Sequence, residues 1–422
     1  MALQGPFVVV ADTPAADVVA VLREDGAYPV IEASWADAAA ALLAVEPEAV
    51  VLAEPADQER IAPFAEALEE RYRKGSGAFI PIIARVGDDA PPPVLDALAI
   101  ATDAPAERIV RRLSSALRVR ALHGTVLRRI ATLESRGEDT PELSPTDPLD
   151  DASVLVAGRG RSYPALSVAV GEQAGVIGAL SVDSAARALN ARDIDGVIIG
   201  DGFGPRIVEA MLTVMADDAR FRDLPIAVLG GSAAAIDPFH LHLPNLERSA
   251  DVPARLVERF LPFVRVRAFG QRLRRMLQSL DAKGMLDPDT GLLSQEAFWR
   301  DLNRAVADAE KRSVGLSIAR FAFEQNDRRV SVDAARLLAR LMRRVDFACR
   351  EADSSIFAVF TETDLRAAHV ITRRLASVLK NTMLAPDRSR AGIDTAITLA
   401  TLKPTDNVDS LIARVMGHHI AG

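Results

Sequence analysis

The sequence predicts an α/β protein whose first two thirds form two tandem, doubly wound parallel sheets. Short apolar strands alternate there with helical segments, which is the pattern of a parallel sheet covered by helices. The segment 118–122 (RVRAL) recurs as 265–269 (RVRAF), 147 residues later counting from 118 to 265, which indicates an internal repeat. A chain of 422 residues has room for about three domains, so a further domain is expected after the two copies.

The first copy is predicted to occupy residues 5–136. Each of its expected strands is a compact apolar run, and its helices follow between them. The expected elements are strands at 7–11, 49–52 and 79–84, a helix at 15–22 and a long final helix at 106–135.

The second copy is predicted to occupy residues 152–281 and to repeat the same order. Its expected elements are strands at 153–157, 196–199 and 224–229 and a long final helix at 253–281. The segment 137–151 between the copies is rich in acids and contains Pro141, Pro145 and Pro148. This composition predicts an exposed spacer.

Composition places the chain among ordinary globular proteins, with 49% hydrophobic and 5% aromatic residues. No apolar run approaches the ~20 residues that cross a bilayer. The first residues lack a basic, apolar signal, so a cytoplasmic protein is expected. The one cysteine, Cys349, cannot form an internal disulfide and is interpreted as a small buried hydrophobe.

Charge argues against non-specific nucleic-acid binding, because the formal net charge is −8. Arginines nevertheless cluster in the long helix that ends each copy. The first stripe consists of Arg118, Arg120, Arg128 and Arg129, and the second of Arg265, Arg267, Arg272, Arg274 and Arg275. Both stripes are interpreted as solvated faces of helices.

In size and strand spacing the two copies resemble the receiver domain of response regulators, a flavodoxin-like fold. Receivers carry a phosphoacceptor aspartate at the end of the third strand, but Ala53 and Gly200 stand at those positions. Glu54 and Asp201 are adjacent, and whether either keeps a role stays open. The resemblance therefore implies two degenerate receivers, and it implies a homodimer because receivers commonly pair through their last helices.

Residues 282–422 resemble the GGDEF domain of diguanylate cyclases, a nucleotidyl-cyclase-like α/β domain. The segment 287–292 (DPDTGL) is similar to the opening turn of that family, and Arg343 and Asp346 match its Arg-x-x-Asp motif with Arg350 in register. The signature hairpin is lost. Its positions hold Ala352, Asp353, Ser354, Ser355 and Ile356 in place of two glycines, two acids and an aromatic residue.

Catalysis in this family requires two metal ions, held by an acid on the first strand and an acid of the hairpin. Here the first strand, 315–321, carries no acid and has the cation Arg320 near the ligand position. The resemblance therefore implies that the domain is not an enzyme and holds no metal.

The Arg-x-x-Asp motif forms an inhibitory site for cyclic di-GMP in the GGDEF family. A guanidinium can donate to guanine O6 and N7 or to a phosphate, and a carboxylate can accept from guanine N1 and N2. A helix over 333–344 is expected to bring Arg343 and Asp346 together at its end. The resemblance adds Arg350, and Arg373 or Arg374 on the helix after the hairpin, to the expected ligand site.

The whole layout is similar to that of PleD-type response regulators, and its lost catalytic residues are closer to the non-enzymatic PopA-type proteins. PopA-type proteins are cyclic di-GMP receptors of alphaproteobacteria that localise to a cell pole and recruit adaptors and substrates for cell-cycle proteolysis by ClpXP. The resemblance implies a non-catalytic receptor and scaffold with protein partners, and neither nucleic-acid binding nor membrane insertion.

Three alternatives stay open. The first is a ligand-independent scaffold, in which Arg343 and Asp346 are ordinary surface residues. The second is a residual diguanylate cyclase, which requires acids that the motif positions lack. The third is a phosphorylation-driven regulator, which requires a phosphoryl aspartate such as Asp201.

Overall fold

The structure is a computed structural model that describes residues 3–73, 79–87, 90–141, 143, 146–230, 233–249, 252–323, 328–381 and 395–417. The chain divides into two compact units. The first comprises Leu3–Arg120 with Leu143–Leu273, and the second comprises Ala121–Glu142 with Arg274–Gly422. Three sheets follow one another along the chain, and the three predicted domain limits stay a prediction.

The first unit begins with a five-stranded parallel sheet and its helices. The strands are β1 (Phe7–Val10), β2 (Val30–Ala33), β3 (Ala49–Leu52), β4 (Ile82–Val86) and β5 (Ala97–Ala101). The helices are α1 (Ala16–Glu24), α2 (Ala38–Val45), α3 (Gln58–Arg73) and α4 (Ala106–Glu134). The strand order is β2-β1-β3-β4-β5.

A second five-stranded parallel sheet completes the first unit. Its strands are β6 (Ser153–Ala157), β7 (Gly175–Ala179), β8 (Gly196–Ile199), β9 (Ile226–Leu229) and β10 (Leu246–Ser249). Its helices are α5 (Tyr163–Gly171), α6 (Val182–Ala191), α7 (Pro205–Asp217), α8 (Ala233–Ile236) and α9 (Pro253–Asp281). The order β7-β6-β8-β9-β10 repeats that of the first sheet and is the flavodoxin-like order, so the predicted sheet class is confirmed for both copies.

Strands β1, β3 and β9 are apolar at every position because helices cover both faces of each sheet. In β1, Phe7 and Val9 pack into the core on one face, and Val8 and Val10 pack into the core on the other. Successive side chains of a strand point to opposite faces, so an uninterrupted apolar run fills two cores at once. This is why the buried strands were recognisable from sequence.

The last helices of the two copies make reciprocal contacts within the first unit. Arg112 on α4 donates to the carbonyl oxygens of Pro244 and Leu246 near β10, at 3.0 Å each. Arg259 on α9, the repeat equivalent of Arg112, donates to the carbonyl oxygen of Gly87 after β4 at 3.0 Å. Helix faces that carry Arg112 and Arg259 are therefore occupied inside the chain. Homodimer formation through these helices stays a prediction.

Two expectations from the sequence are corrected here. The arginine stripes are not solvated throughout, because Arg120, Arg128 and Arg129 are buried. Arg120, for example, donates from Nε to Glu48 Oε2 at 2.7 Å.

The segment predicted as an exposed spacer is the second correction. Its end, Pro148–Asp151, forms a 3-10 helix with Leu149 buried. Arg272 donates to Asp151 Oδ2 at 2.7 Å, which ties this end to α9. Residues 142, 144 and 145 of the predicted spacer lie outside the described residues.

The second unit is built on an antiparallel sheet of order β12-β13-β11-β14. Its strands are β11 (Leu316–Phe323), β12 (Phe347–Arg350), β13 (Ile356–Thr361) and β14 (Thr395–Thr401). Its helices are α10 (Gln295–Arg312), α11 (Arg328–Leu341), α12 (Leu365–Asn381) and α13 (Val408–Val415), together with the ends of α4 and α9. None of the helices in the described ranges combines the length and hydropathy of a membrane span.

Candidate functional site

Asp346 is fixed at the open end of the β12–β13 hairpin. Its backbone N–H donates to the Arg343 carbonyl oxygen at 3.1 Å, and its Oδ1 accepts from the Thr361 N–H at 3.2 Å. The residue is only 8% exposed. Burial raises the pKa of Asp346 to about 7, although the Arg343 charge opposes the shift. This carboxyl group therefore changes its charge near neutral pH.

A pocket of about 370 Å³ lies beside this turn. Arg343 and Asp346 both line it, so the structure brings together the two residues of the predicted motif. Its charged lining residues are Arg129, Asp281, Arg340, Arg343, Arg344 and Asp346. The helix predicted over 333–344 ends at Leu341, so Arg343 projects from a turn and not from the last helical turn.

Arg129 is the pocket residue that sequence reasoning did not nominate. It comes from α4 and was assigned to a solvated stripe, but it is 5% exposed. Its Nη1 lies 3.1 Å from Asp301 Oδ2, and its guanidinium sits 5.8 Å from the centre of the Phe347 ring. Its Nε and Nη1 have no hydrogen-bond acceptor among the described residues. Its Nε also lies 3.6 Å from Asp281 Oδ1, so Arg129 brings to the pocket a cation that is paired with two carboxylates but has free hydrogen-bond donors.

Three further predicted ligand residues do not line this pocket. Arg350 ends β12, half-buried, and its Nε has no hydrogen-bond acceptor among the described residues. Arg373 and Arg374 are exposed on α12, and Arg373 lines a separate groove of about 540 Å³ between α12 and β14. The role of these three arginines in ligand binding stays a prediction.

The hairpin turn 351–355 is organised around Asp353. Oδ1 of Asp353 accepts from the Ser355 N–H at 2.9 Å and from Ser355 Oγ at 2.6 Å. Oδ2 accepts from Arg320 Nη2 at 2.7 Å. Partial burial disfavours the charged carboxylate, but the bonds from Ser355 and Arg320 outweigh it and lower the pKa of Asp353. The acid of this turn is therefore already paired with a protein cation.

The other residues of the turn complete a compact, polar loop. Ser354 has a positive φ of 69°, a backbone conformation that favours glycine because glycine has no β-carbon. The carbonyl oxygen of Ser354 accepts a hydrogen bond from Ser331 Oγ at 2.8 Å. Ala352 is exposed, and Ile356 is fully buried as the first residue of β13. Within the described ranges, no group of three or more His, Cys, Asp or Glu side chains is placed to hold a metal ion.

The acids beside Ala53 and Gly200, the two positions predicted to be degenerate phosphoacceptors, have matching contacts. Ala53 follows β3, and the neighbouring Glu54 accepts from the Asp12 N–H at 2.6 Å and from Thr13 Oγ1 at 2.6 Å. Gly200 follows β8, and the neighbouring Asp201 accepts from the Arg161 N–H at 2.9 Å. In both sheets, the acid after the third strand fastens the loop after the first strand.

The comparisons with known proteins give only distant structural likeness. No protein-family model matches the chain, and no curated protein matches it. One similar solved structure is the coiled coil and GGDEF domain of DgcB from Caulobacter crescentus in complex with c-di-GMP. It is 21% identical, with 35% of this chain and 84% of that chain covered and a TM-score of 0.30.

Two further structures are similar at the same level. A sensory box/GGDEF family protein from Caulobacter crescentus is 19% identical, with 32% of this chain and 94% of that chain covered and a TM-score of 0.29. The GGDEF domain of FimX from Pseudomonas aeruginosa is 19% identical, with 32% and 90% covered and a TM-score of 0.29. Likeness at this level carries no argument about ligand or activity.

Proposed function

We propose that this protein is a non-catalytic receptor for cyclic di-GMP that acts as a scaffold for other proteins. The observation that carries the proposal is the joint position of Arg343 and Asp346 on one pocket of about 370 Å³. The two residues were selected from the sequence as a guanine-binding pair, and an open cavity lies where the pair meets.

The chemistry of the pocket suits a guanine nucleotide with phosphates. The Arg343 guanidinium can donate to guanine O6 and N7, and the Asp346 carboxylate can accept from guanine N1 and N2. Four arginines and two acids make up the charged lining, so the pocket favours an anion. The incompletely satisfied guanidinium of Arg129 offers a further donor to a phosphate or a second base.

The absence of catalysis is proposed from the hairpin and from β11. The family uses an acid on the first strand and an acid of the hairpin to hold metal ions, and here Arg320 pairs with Asp353 at 2.7 Å. A guanidinium so close to the remaining acid opposes the binding of a second cation by that acid.

The scaffold role is proposed from the layout. Two degenerate receivers before a degenerate GGDEF domain resemble PopA-type proteins, which recruit adaptors and substrates for cell-cycle proteolysis at a cell pole. Cyclic di-GMP would favour one arrangement of the protein by binding that arrangement more tightly than the others. Binding would in this way regulate the partner-binding surface.

Calorimetric titration with cyclic di-GMP tests the receptor. We expect heat from the wild-type protein and at least a tenfold loss of affinity in Arg343→Ala, because a charge-assisted donor is removed. Arg129→Met is expected to weaken binding as well. Arg366→Ala, an exposed arginine on α12, is the control and is expected to bind as the wild type does.

Two outcomes would contradict the proposed receptor function. One is no heat from the wild-type protein, which leaves the ligand-independent scaffold. The other is equal affinity of the wild-type protein and Arg343→Ala.

Partner capture from an alphaproteobacterial lysate with and without cyclic di-GMP tests the scaffold. Capture that is identical in the wild-type protein and Arg343→Ala contradicts regulation by the ligand.

A further inference from the structure

A second cavity, of about 490 Å³, lies in the first unit at the ends of β5 and β10. Ala101, the last residue of β5, and Arg248 and Ser249, the last residues of β10, line it. Both strands belong to parallel sheets, and ligands of such sheets bind outside the carboxyl ends of the strands. The cavity therefore lies on the carboxyl-end side of both sheets, beside their edge strands β5 and β10.

Three arginine side chains of this cavity have no carboxylate within ion-pair distance among the described residues. Arg108 and Arg111 lie in the first turns of α4, and Arg248 lies on β10. Within the described residues, none of the three side chains makes an ion pair or a hydrogen bond, although Glu247, Asp237 and Asp103 attract the charge of Arg108 from a greater distance. The N-terminus of α4, which carries a partial positive charge, lies beside the first two.

The one buried carboxylate of the cavity does not neutralise them. Glu247 accepts from Arg112 through Oε1 and from Arg259 through Oε2, the second bond at 3.3 Å. Two guanidinium groups thus share a single negative charge. The remaining acids of the lining, Asp103, Glu107 and Asp237, are exposed, as Arg111 and Arg248 are, and within the described residues none of these acids makes an ion pair with a lining arginine.

His240 lines the same cavity and is 6% exposed. Burial and the charges of Arg108, Arg112 and Arg248 lower the pKa of His240 to about 2, and its nearest carboxylate, Asp237 Oδ1, lies 3.6 Å from Nε2. Burial is the main reason why the imidazole stays neutral, and the three neighbouring guanidinium groups add to the effect.

We propose that this cavity binds a phosphate-bearing anion through Arg108, Arg111 and Arg248. A tetrahedral dianion offers enough acceptor oxygens for three guanidinium groups and the helix N-terminus, which a single carboxylate does not. The volume exceeds that of one phosphate ion, so the preferred ligand is a phosphomonoester whose organic part occupies the rest. Every lining residue belongs to the first unit, so the site is independent of Arg343 and Asp346.

Calorimetric titration of the full chain with GMP, a sugar monophosphate and orthophosphate tests the site. We expect the phosphomonoesters to bind more tightly than orthophosphate, and Arg108→Gln and Arg248→Gln each to lose at least tenfold in affinity. Arg206→Gln is the matched control, because Arg206 is an exposed arginine of the same unit that lines no described cavity. No heat from any probe, or an unchanged affinity in Arg248→Gln, overturns the proposal.

The His240 imidazole provides a second readout that does not depend on heat. The NMR signal of this ring is assigned by comparison with His240→Asn. Its chemical shift is expected to change on addition of GMP in the wild type and not in Arg248→Gln. The side chain of Arg248 is exposed, so this variant is expected to fold even if Arg108→Gln does not. A His240 resonance that stays fixed while GMP binds places the ligand elsewhere and overturns the site.

Discussion

The carboxylate of Asp201 accepts hydrogen bonds through Oδ1 from both the backbone N–H of Ser162, at 3.1 Å, and the Ser162 hydroxyl. Asp201 follows β8, and Ser162 precedes α5, which comes after β6. The first sheet repeats this relationship between Glu54 and Thr13. In both sheets a side-chain carboxylate therefore joins the loop after the third strand to the loop after the first.

The Asp201 contacts predict a pH-dependent contribution to stability. Hydrogen bonds from Ser162 lower the pKa of Asp201. Because the folded-state pKa lies below the unfolded one, the stabilisation is complete above the unfolded pKa and is lost as pH falls through the folded pKa. Asp201→Asn is expected to lower the free energy of unfolding at neutral pH by about 1 kcal/mol, as loss of an N-cap does.

Urea denaturation at neutral pH and at about pH 3, below the usual carboxyl pKa, measures this contribution. Asp217→Asn, at the exposed end of α7, is the control and is expected to leave stability nearly unchanged. If the difference between the wild type and Asp201→Asn is the same at both pH values, the carboxylate does not hold the loop.

From the raised pKa of Asp346 we predict that binding of cyclic di-GMP depends on pH. Burial raises the pKa of Asp346 to about 7. Only the ionised carboxylate accepts from guanine N1 and N2, so affinity is expected to rise as pH increases through 7 and to fall by about tenfold for each unit below it. Calorimetric titration between pH 6 and 8, a window of about one unit on each side of the pKa, measures the profile.

Asp346→Asn is the matched variant for that profile. Its amide does not titrate, so binding is expected to be weak and independent of pH across the same window. Arg343→Ala keeps the carboxyl group and is expected to bind weakly with the pH dependence retained. A wild-type profile that is flat between pH 6 and 8 contradicts a role for the Asp346 charge.

Much of the fold was predictable because its signals are local. β3, β6, β8 and α9 have the predicted bounds, since buried parallel strands are continuous apolar runs and long helices carry a sustained pattern. That Arg343 and Asp346 lie on one pocket was predictable for the same reason, because they are three residues apart in the sequence, and their role in ligand binding stays a prediction.

The sequence predictions that failed concern features that depend on residues far apart in the sequence. Arg129 looked like one member of a solvated stripe, and its partner Asp301 is far away in sequence, so no local pattern reveals the buried pair. The end of α11 at Leu341 was also missed. The N–H of Asp346 closes a turn with Arg343 O, and the hydrogen bond to Thr361 of the neighbouring strand fixes Asp346 there.

The buried pair of Arg129 and Asp301 predicts a large effect on the stability of the second unit. Asp301 is fully buried, and Arg129 is 5% exposed. Neutralising Asp301 leaves the buried Arg129 with only its longer contact to Asp281 Oδ1, at 3.6 Å from Nε, so Asp301→Asn is expected to lower the free energy of unfolding by about 3 kcal/mol. The double variant Arg129→Met with Asp301→Leu is expected to recover only part of this loss, because Asp281 then loses its contact with Arg129.

Tryptophan fluorescence can follow the unfolding of the second unit separately. The chain has two tryptophans, Trp35 in the first unit and Trp299 in the second, so a Trp35→Phe background leaves Trp299 as the reporter. Urea unfolding is compared in that background. Glu310→Gln, an exposed acid on the same helix as Asp301, is expected to have little effect. Equal midpoints for Asp301→Asn and Glu310→Gln would show that the buried pair does not stabilise the unit.

The ion pair of Arg320 with Asp353 predicts that the protein does not make cyclic di-GMP. Asp353 is the only acid at the five signature positions, and its Oδ2 already accepts from Arg320 at 2.7 Å. Incubation with GTP and Mg²⁺, followed by chromatography, is expected to show no cyclic di-GMP above a protein-free blank. Arg320→Ala is also expected to be inactive, because β11 still supplies no acid as a second metal ligand. Formation of cyclic di-GMP that disappears in Asp353→Asn would establish a residual cyclase and refute this reading of the hairpin.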